Sequence, residues 1–319
     1  MTSRRIVVGI SESTSSDAAL LWAAHDAVIR CASLVVVHAT GSAAEATGSA
    51  PATGSAPARD CARAQQLVDV AVHAAVARVP GVRAQAECSP LPAADALVEH
   101  STTAELVVVG RGGGDAVLGP VSHEVAAYAH SPVVVVADDH ARADDGVDRV
   151  VAVGVGRSNG ARHAVDEAFG SAQRTHGRVL AVRAWSDLDP ARSGGQFAPD
   201  CAFRSESASR HLLDECVARA AAEYPAVSVE TRLVRGNAID VLLEVSAEAD
   251  LLVLGGRLRA DSGTSQLCRD ATTVLTKANC PVEIVCWPPL HDEWISRRRS
   301  DVRGSDERIG HRLETVTVM

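Results

Sequence analysis

Residues 105–137 read ELVVVGRGGGDAVLGPVSHEVAAYAHSPVVVVA, and the rest of the chain is interpreted outward from this stretch. Glu105–Gly110 is a short apolar run ending in glycine, which is typical of a strand buried on both faces of a parallel sheet. Val121–His130 has the composition of a helix, and Val133–Val136 is a second apolar run. Strand, loop, helix and strand in this order predict an arrangement that binds phosphate at a helix N-terminus.

The loop of this stretch is unusually rich in glycine. Its glycines are Gly110, Gly112, Gly113, Gly114 and Gly119. Without side chains, the backbone N–H groups of such a loop can approach an anion closely. An ordinary turn between a strand and a helix needs only one or two glycines. We therefore interpret the loop as a present or ancestral nucleotide site.

Composition limits the class of protein. The 319 residues suffice for two domains that each bury a core, and with 46% hydrophobic but only 3% aromatic residues the cores must consist of Ala, Val and Leu. A net charge of −9 argues against nonspecific nucleic-acid binding and gives no attraction to a membrane. No apolar segment approaches the ~20 residues of a membrane span, and the N-terminus leads directly into a strand. We expect a cytoplasmic protein that binds neither nucleic acid nor membranes.

The residue types that carry metal or catalytic chemistry form no motif. The eight cysteines include no C-x-x-C pair, and the twelve histidines form no H-E-x-x-H cluster. Neither a nucleophile–base pair nor a carboxylate pair lies at a predicted strand end or at the glycine loop. We therefore expect no metal site and no enzymatic activity.

Strands and helices alternate along the first 140 residues. Strands are predicted at 5–11, 34–38, 82–88, 105–110 and 133–136, and helices at 15–30, 61–79, 91–101 and 121–130. Ser15 or Ser16 is the expected N-cap of the first helix, and Pro92 is expected in the first turn of the third. Residues 41–58, with a tandem ATGSAP repeat, have little to bury and are predicted to be a mobile loop. The alternation indicates a parallel sheet with right-handed crossovers and helices on both faces.

The same order of elements then repeats. Ala93, Asp95, Leu97 and Glu99 recur as Ala238, Asp240, Leu242 and Glu244, and Gly110 recurs as Gly255, each 145 positions later. Pro132-Val133 recurs as Pro281-Val282. The chain is therefore interpreted as a duplication, with domains at 1–140 and 148–287 and a partly disordered tail at 288–319.

Two glycine-ended first strands, the glycine loop after the fourth strand and a final Pro-Val strand resemble the universal stress protein family in tandem form. The resemblance covers residues 4–137 and 148–286. It implies an α/β fold of two tandem open parallel five-stranded sheets with helices on both faces. This fold is Rossmann-like, of the adenine nucleotide alpha hydrolase-like kind.

The resemblance also implies where a nucleotide would bind. In nucleotide-binding members the first strand ends V-G-x-D-x-S, and the fourth leads into G-x-x-G, nine residues, and G-(S/T). The candidate binding residues at the matching positions and beside them are Ile10, Ser11, Ser13, Gly110, Gly113, Gly119, Val121 and Ser122 in the first half, and Val155, Gly156, Ser158, Gly255, Arg257 and Arg269 in the second.

This chain departs from the family pattern at critical places. Ser11 and Gly156 replace the aspartate, and Pro120 replaces the Ser/Thr, removing a hydroxyl and an N–H donor. In the second half, Leu258, Cys268 and Arg269 replace the second glycine, the third glycine and the Ser/Thr. Weak or absent ATP binding is expected, so no cofactor is predicted and ATP stays open only at low affinity.

Two functions follow from these departures. The first is a non-catalytic stress-response protein of the universal stress type that acts through protein contacts, although the sequence identifies no partner. The alternative is a stress regulator that binds ATP or AMP in at least one half. The first half is favoured because it keeps its glycines, whereas in the second half Arg257 and Arg269 would have to contact the phosphates directly.

The last strand of each half is an exposed apolar edge. Val133–Val136 carries no charge and Val282–Val285 carries only Glu283, yet edge strands usually carry charge, proline or a cover. We expect the two edges to pair with each other, antiparallel, within one chain. The rival arrangement is that each edge pairs with a second chain to give a homodimer.

Overall fold

The structure is a computed structural model that describes residues 4–41, 56–112, 117–138, 149–156, 159–186, 206–256, 267 and 269–286. Most of the predicted loop at 41–58, most of the segment joining the two domains and the whole predicted tail at 288–319 lie outside these residues. Residues 4–138 are called the first half below, and residues 149–286 the second half.

Each half alternates strands and helices in the predicted order. The first half consists of β1 (Arg5–Gly9), α1 (Thr14–Ile29), β2 (Ser33–Gly41), α2 (Ala56–Arg78), β3 (Arg83–Pro92), α3 (Ala93–Ser101), β4 (Leu106–Gly110), α4 (Pro120–Tyr128) and β5 (Val133–Val136). The second half consists of β6 (Val150–Gly154), α5 (Asn159–Thr175), β7 (Arg178–Trp185), α6 (Glu206–Glu223), β8 (Val229–Arg235), α7 (Ala238–Ser246), β9 (Leu251–Gly256), α8 (Arg269–Lys277) and β10 (Val282–Cys286).

Three local predictions were wrong. The N-cap of α1 is Ser13, because Ser15 and Ser16 are buried inside the first turn. Helix α2 begins at Ala56, within the stretch predicted to be a loop. Pro92 ends β3 opposite Gly41 with an extended ψ of 147° and precedes α3. Proline is tolerated there because β3 is an edge strand of the sheet.

The ten strands form one sheet in the order β3-β2-β1-β4-β5-β10-β9-β6-β7-β8. Within each half every pairing is parallel, and β5 and β10 pair antiparallel. The two five-stranded sheets are therefore halves of one ten-stranded sheet. The β5–β10 junction is the intrachain antiparallel pairing expected from the two apolar edges.

The cores continue across this junction. On the face covered by α3, α4, α7 and α8, one apolar cluster extends through both halves. On the opposite face, one cluster lies under α1 and α2 and another under α5 and α6. Trp22 of α1 packs against both of these clusters. Packing therefore joins the two halves on both faces of the sheet.

Glycines at the strand ends allow helices to pack closely on the sheet. A Cβ on Gly110 would lie 2.7 Å from the carbonyl carbon and oxygen of Ser15 in α1, and a Cβ on Gly255 would lie 2.6 Å from the carbonyl carbon of Gly160 in α5. The two contacts are equivalent in the two halves. Each fourth-strand glycine is thus required for packing a helix, whether or not a ligand binds nearby.

Alanine at these glycines should destabilise the protein. We expect Gly110→Ala and Gly255→Ala each to cost roughly 1–3 kcal/mol, since backbone must shift to admit the methyl group. Gly156→Ala is the control, because the nearest atom to its Cβ would be 4.0 Å away. Urea unfolding measures all three variants, and equal stability of the three would contradict the packing role.

A charge at the β5–β10 junction should also destabilise the fold. Val135 is 3% exposed and pairs with Val282. We expect Val135→Lys to lower the free energy of unfolding by roughly 3–5 kcal/mol, the scale of an uncompensated buried charge, and to promote aggregation. Val70→Lys, at a valine 61% exposed on α2, should change it by less than about 0.5 kcal/mol. A soluble Val135→Lys variant of wild-type stability would show that this strand is not buried at the junction.

Candidate functional site

The predicted binding residues of the first half lie at the carboxyl ends of β1 and β4. These neighbouring strands mark the point where the strand order of the half reverses, and ligands of open α/β sheets bind in the crevice at such points. Ile10, Ser11 and Ser13 follow β1, and Gly110 ends β4. Gly119, Val121 and Ser122 lie at the start of α4. The structure therefore brings these residues to one edge of the sheet.

Four serines connect β1 to the glycine loop. The hydroxyls of Ser11 and Ser13 are 3.0 Å apart, and those of Ser13 and Ser15 are 3.3 Å apart. The Ser15 hydroxyl accepts a hydrogen bond from the Gly112 N–H at 3.2 Å, and the Ser16 hydroxyl accepts one from the Ser11 N–H at 2.8 Å. Sequence reasoning treated Ser15 and Ser16 only as possible caps, although a run of serines after a glycine-ended strand could have indicated such a cluster.

The glycine loop is closed by hydrogen bonds within the protein. The Gly119 N–H donates to the Arg111 carbonyl at 2.9 Å, and the Ser122 hydroxyl donates to the Gly110 carbonyl at 2.6 Å. Gly112 adopts the left-handed conformation with φ of +60°, which favours glycine. Pro120 occupies the first position of α4 and has no N–H. One amide and one hydroxyl that could face a phosphate are thus already bonded. Gly113 lies outside the described residues.

Arg111 connects this loop to the other half of the chain. Its N–H donates to the Val136 carbonyl at 2.6 Å, and its guanidinium donates to the Thr276 carbonyl at 2.9 Å. Thr276 lies in the last turn of α8, where a cation is favourable beside the negative end of the helix dipole. The only arginine of the described part of this loop is therefore bonded to α8. No local sequence signal could have revealed a contact across 165 residues.

Carboxylates lie at the rim of the first site. Glu12 is exposed and forms an ion pair of 2.6 Å with Arg63. Asp138 accepts a hydrogen bond of 2.5 Å from the hydroxyl of Thr14, the first residue of α1. Negative charge at a helix N-terminus occupies the place where an anionic ligand would otherwise gain most. Because Arg63 balances the charge of Glu12, it is the Asp138 carboxylate that opposes phosphate binding at this rim.

The second half builds an equivalent crevice from different side chains. Buried Val155 and exposed Gly156 follow β6, and Gly255 lies in β9. Arg183 is 8% exposed and donates a hydrogen bond of 2.8 Å to the Val155 carbonyl, in the place where His38 contacts the Ile10 carbonyl at 2.9 Å.

The remaining candidates of the second half are less informative. Exposed Arg269 begins α8. Arg257 and Ser158 lie outside the described residues. Half-buried Trp185 ends β7, and the Arg235 guanidinium lies 5.7 Å from its ring centroid. Sequence reasoning overlooked both Arg183 and Trp185, because the family pattern contains neither.

The described part of the chain contains neither a metal-binding cluster nor a helix that could span a membrane. Within it, no group of three or more His, Cys, Asp or Glu side chains could hold a metal ion. No helix there combines the length and the apolar character needed to cross a bilayer.

Comparisons with known proteins agree with this architecture. The profile of the Universal stress protein family matches residues 2–137 and 149–285. Universal stress protein Rv2623 of Mycobacterium tuberculosis (strain H37Rv) is 30% identical over 284 residues, which cover 87% of this chain and 94% of that protein. Universal stress protein Rv2005c of the same strain is 31% identical over 288 residues, 87% of this chain and 95% of that protein.

Solved structures show the same fold. A universal stress protein from Archaeoglobus fulgidus superimposes with a TM-score of 0.64 at 16% identity, over 90% of this chain and 99% of that one. Its two-half architecture is thus shared at low sequence identity. With two family matches that together span both halves and with relatives aligned over most of their length, the chain belongs to the universal stress protein family, as a tandem member.

Proposed function

We propose that this protein is a cytoplasmic, non-catalytic stress-response protein that acts through protein contacts and binds ATP weakly or not at all. The observation that carries the proposal is the glycine loop of the first half. There, the Gly119 N–H and the Ser122 hydroxyl are bonded to the protein's own carbonyls, and Pro120 has no N–H to offer. At these two groups of the described part of the loop, a nucleotide would have to replace existing bonds.

Losing these donors should lower the affinity for a nucleotide strongly. Hydrogen bonds to charged groups contribute about 1.5–3 kcal/mol each, and every ~1.4 kcal/mol changes a dissociation constant tenfold. Loss of two such contacts would turn a micromolar affinity into a millimolar one. The carboxylate of Asp138 at the rim acts in the same direction.

The second half supports the same conclusion by a different route. The family aspartate is replaced by Gly156, which leaves this place at the crevice without a side chain. Arg183 is the buried cation of this crevice, and its guanidinium donates to the Val155 carbonyl. Arg269 is exposed at the start of α8. Within the described residues, the buried arginine of this crevice is therefore already bonded to the protein's own backbone.

The absence of catalysis is proposed on chemical grounds. The exposed hydroxyls of the first site, Ser11 and Ser13, contact other hydroxyls rather than a base. Burial raises the pKa of the Cys216 thiol, which opposes formation of a nucleophilic thiolate. The chemistry present fits a binding or scaffold protein better than a hydrolase.

The alternative is a regulator that binds ATP or AMP in the first half. The family glycines Gly110 and Gly119 are retained there, and a Cβ on Gly119 would lie 3.2 Å from the Arg111 carbonyl oxygen. The exposed hydroxyls of Ser11 and Ser13 could contact a ribose. This alternative predicts a higher nucleotide affinity than the first function does, and it assigns the binding to the first half.

Titration calorimetry with ATP, AMP and a cyclic nucleotide separates the two functions. For the wild-type chain we expect no dissociation constant tighter than about 1 mM. A constant below about 10 µM, which corresponds to roughly −7 kcal/mol, would contradict the proposal. Nucleotide that co-purifies with the protein would contradict it as well.

A pair of matched variants locates any binding that is seen. Ser13→Glu and Gly156→Glu each place a carboxylate at an exposed position beside one crevice. Because the Ser13 side chain makes no cap hydrogen bond to α1, neither variant should cost more than about 1 kcal/mol. Under the alternative function, Ser13→Glu should weaken nucleotide binding at least tenfold while Gly156→Glu has no effect. Equal effects of both variants would exclude a site confined to the first half.

A further inference from the structure

One carboxyl group is buried at the centre of the molecule without an ordinary partner. Glu283 of β10 is 0% exposed, and neither of its carboxylate oxygens has a hydrogen-bond partner within the described part of the chain. Buried polar groups are nearly always hydrogen-bonded, so an exception requires an explanation. From the sequence, Glu283 was interpreted only as the single charge of an exposed edge strand, so its burial could not be predicted.

Glu283 lies on the pseudo-twofold axis that relates the two halves. It pairs with Val134, between the flanking pairs Val282–Val135 and Ile284–Val133. Pro132 and Pro281 are equivalent, so Val134 is the residue that corresponds to Glu283 in the first half. The axis of the β5–β10 junction therefore passes between an apolar side chain and a carboxyl.

Two helices bring charges to the same junction. Arg30, at the end of α1, is 4% exposed and contacts three carboxylates, those of Asp26 at 2.6 Å, Glu105 at 3.2 Å and Glu167 at 3.4 Å. Glu167 belongs to α5 of the second half and also accepts from Arg174 at 2.7 Å. Arg30 thus joins the two halves by an ion pair.

These neighbours leave Glu283 without a cation of its own. Each nitrogen of the Arg30 guanidinium already contacts another carboxylate, and Arg174 contacts Glu167. Val134 of β5 and Val253 of β9, which pair with Glu283 in the sheet, carry no charge. An ionised Glu283 would therefore be a fourth carboxylate beside two buried or half-buried arginines.

Physical chemistry favours the neutral acid. The pKa of Glu283 is raised to about 8, mainly by burial; Glu167 and Asp26 act in the same direction, and Arg30 and Arg174 oppose them. Burial also raises the pKa of Asp26, against the attraction of Arg30. Both carboxyls therefore retain protons to higher pH in the folded protein than in the unfolded chain.

We propose that the β5–β10 junction is a pH-sensitive interface, which is closed when Glu283 is a neutral acid and loosened when Glu283 ionises between the two halves. The junction contains only three paired positions on each strand, so one uncompensated charge at its centre affects a large part of it. The halves remain folded under this proposal, and the contact between them changes.

The sign of the pH dependence follows from proton binding. When Glu283 is released to water, its pKa falls to the ordinary value of 4.5. Between pH 4.5 and about pH 8 the closed junction holds a proton that the open junction has lost. Closure therefore weakens as pH rises through this window, by up to about tenfold per pH unit for one proton, and levels off above it.

Hydrogen exchange of the β5 and β10 amides tests the proposal on the full chain. After correction for the intrinsic pH dependence of exchange, wild-type protection at the junction should fall at least tenfold between pH 6 and pH 8. Glu283→Gln and Glu283→Val, the latter introducing the residue of the first half, should remove most of this dependence and equal or exceed wild-type protection at pH 8. Glu248→Gln, at an exposed carboxylate paired with Arg232, is the matched control and should behave as wild type.

Two results would overturn the proposal. One is a Glu283→Gln variant whose junction protection keeps the wild-type pH dependence. The other is a wild-type protein whose Glu283 carboxyl, followed by carbon NMR, titrates at its ordinary value, and this measurement does not require a folded variant. A loss of protection at pH 8 in both variants would also count against it, because the ionised carboxylate would then be stabilising.

Discussion

The structure depends on how two unpaired sheet edges are satisfied. Each half ends in a short valine-rich strand whose outer N–H and C=O groups need partners, and the duplication supplies a second edge of the same kind in the same chain. Antiparallel pairing of β5 with β10 makes one sheet of ten strands. Packing of the helices across the junction, with Trp22 against the clusters of both halves, follows from this pairing.

The duplication has diverged where the two halves meet. An interface between identical halves would repeat each residue across the axis, but here Val134 faces Glu283, and Arg30 of one half meets Glu167 of the other. Two second halves joined in this way would place Glu283 against Glu283. The ion pair of Arg30 with Glu167 thus favours pairing of unlike halves, which is the arrangement within one chain. Buried ionic groups are best attested in this role of selecting a partner and a register.

Much of the fold could be predicted from local pattern. Apolar runs ended by Gly9, Gly110 and Gly255 located the buried strands, and the constant offset between the halves revealed the duplication. The predicted element boundaries were wrong where contacts between distant parts of the chain determine the structure. Helix α2 extends into a stretch whose composition suggested a loop. Pro92 is tolerated in β3 because this strand lies at an edge of the sheet. The roles of Gly110 and Gly255 in helix packing depend on contacts with Ser15 and Gly160 that no motif encodes.

The candidate site could be placed from the sequence but not evaluated. The motif positions correctly predicted that Ser11, Gly110 and Ser122 lie at one edge of the sheet. Whether their hydrogen-bond donors are free depends on bonds inside the folded loop, which the sequence does not reveal. Amide NMR during titration with ATP tests this point most directly. We predict that the signals of Gly119 and Ser122 do not shift at sub-millimolar ATP and that the Gly119 amide stays protected from exchange. Saturable shifts of these two residues at micromolar ATP would contradict the claim that the protein itself occupies these two donors of its nucleotide loop.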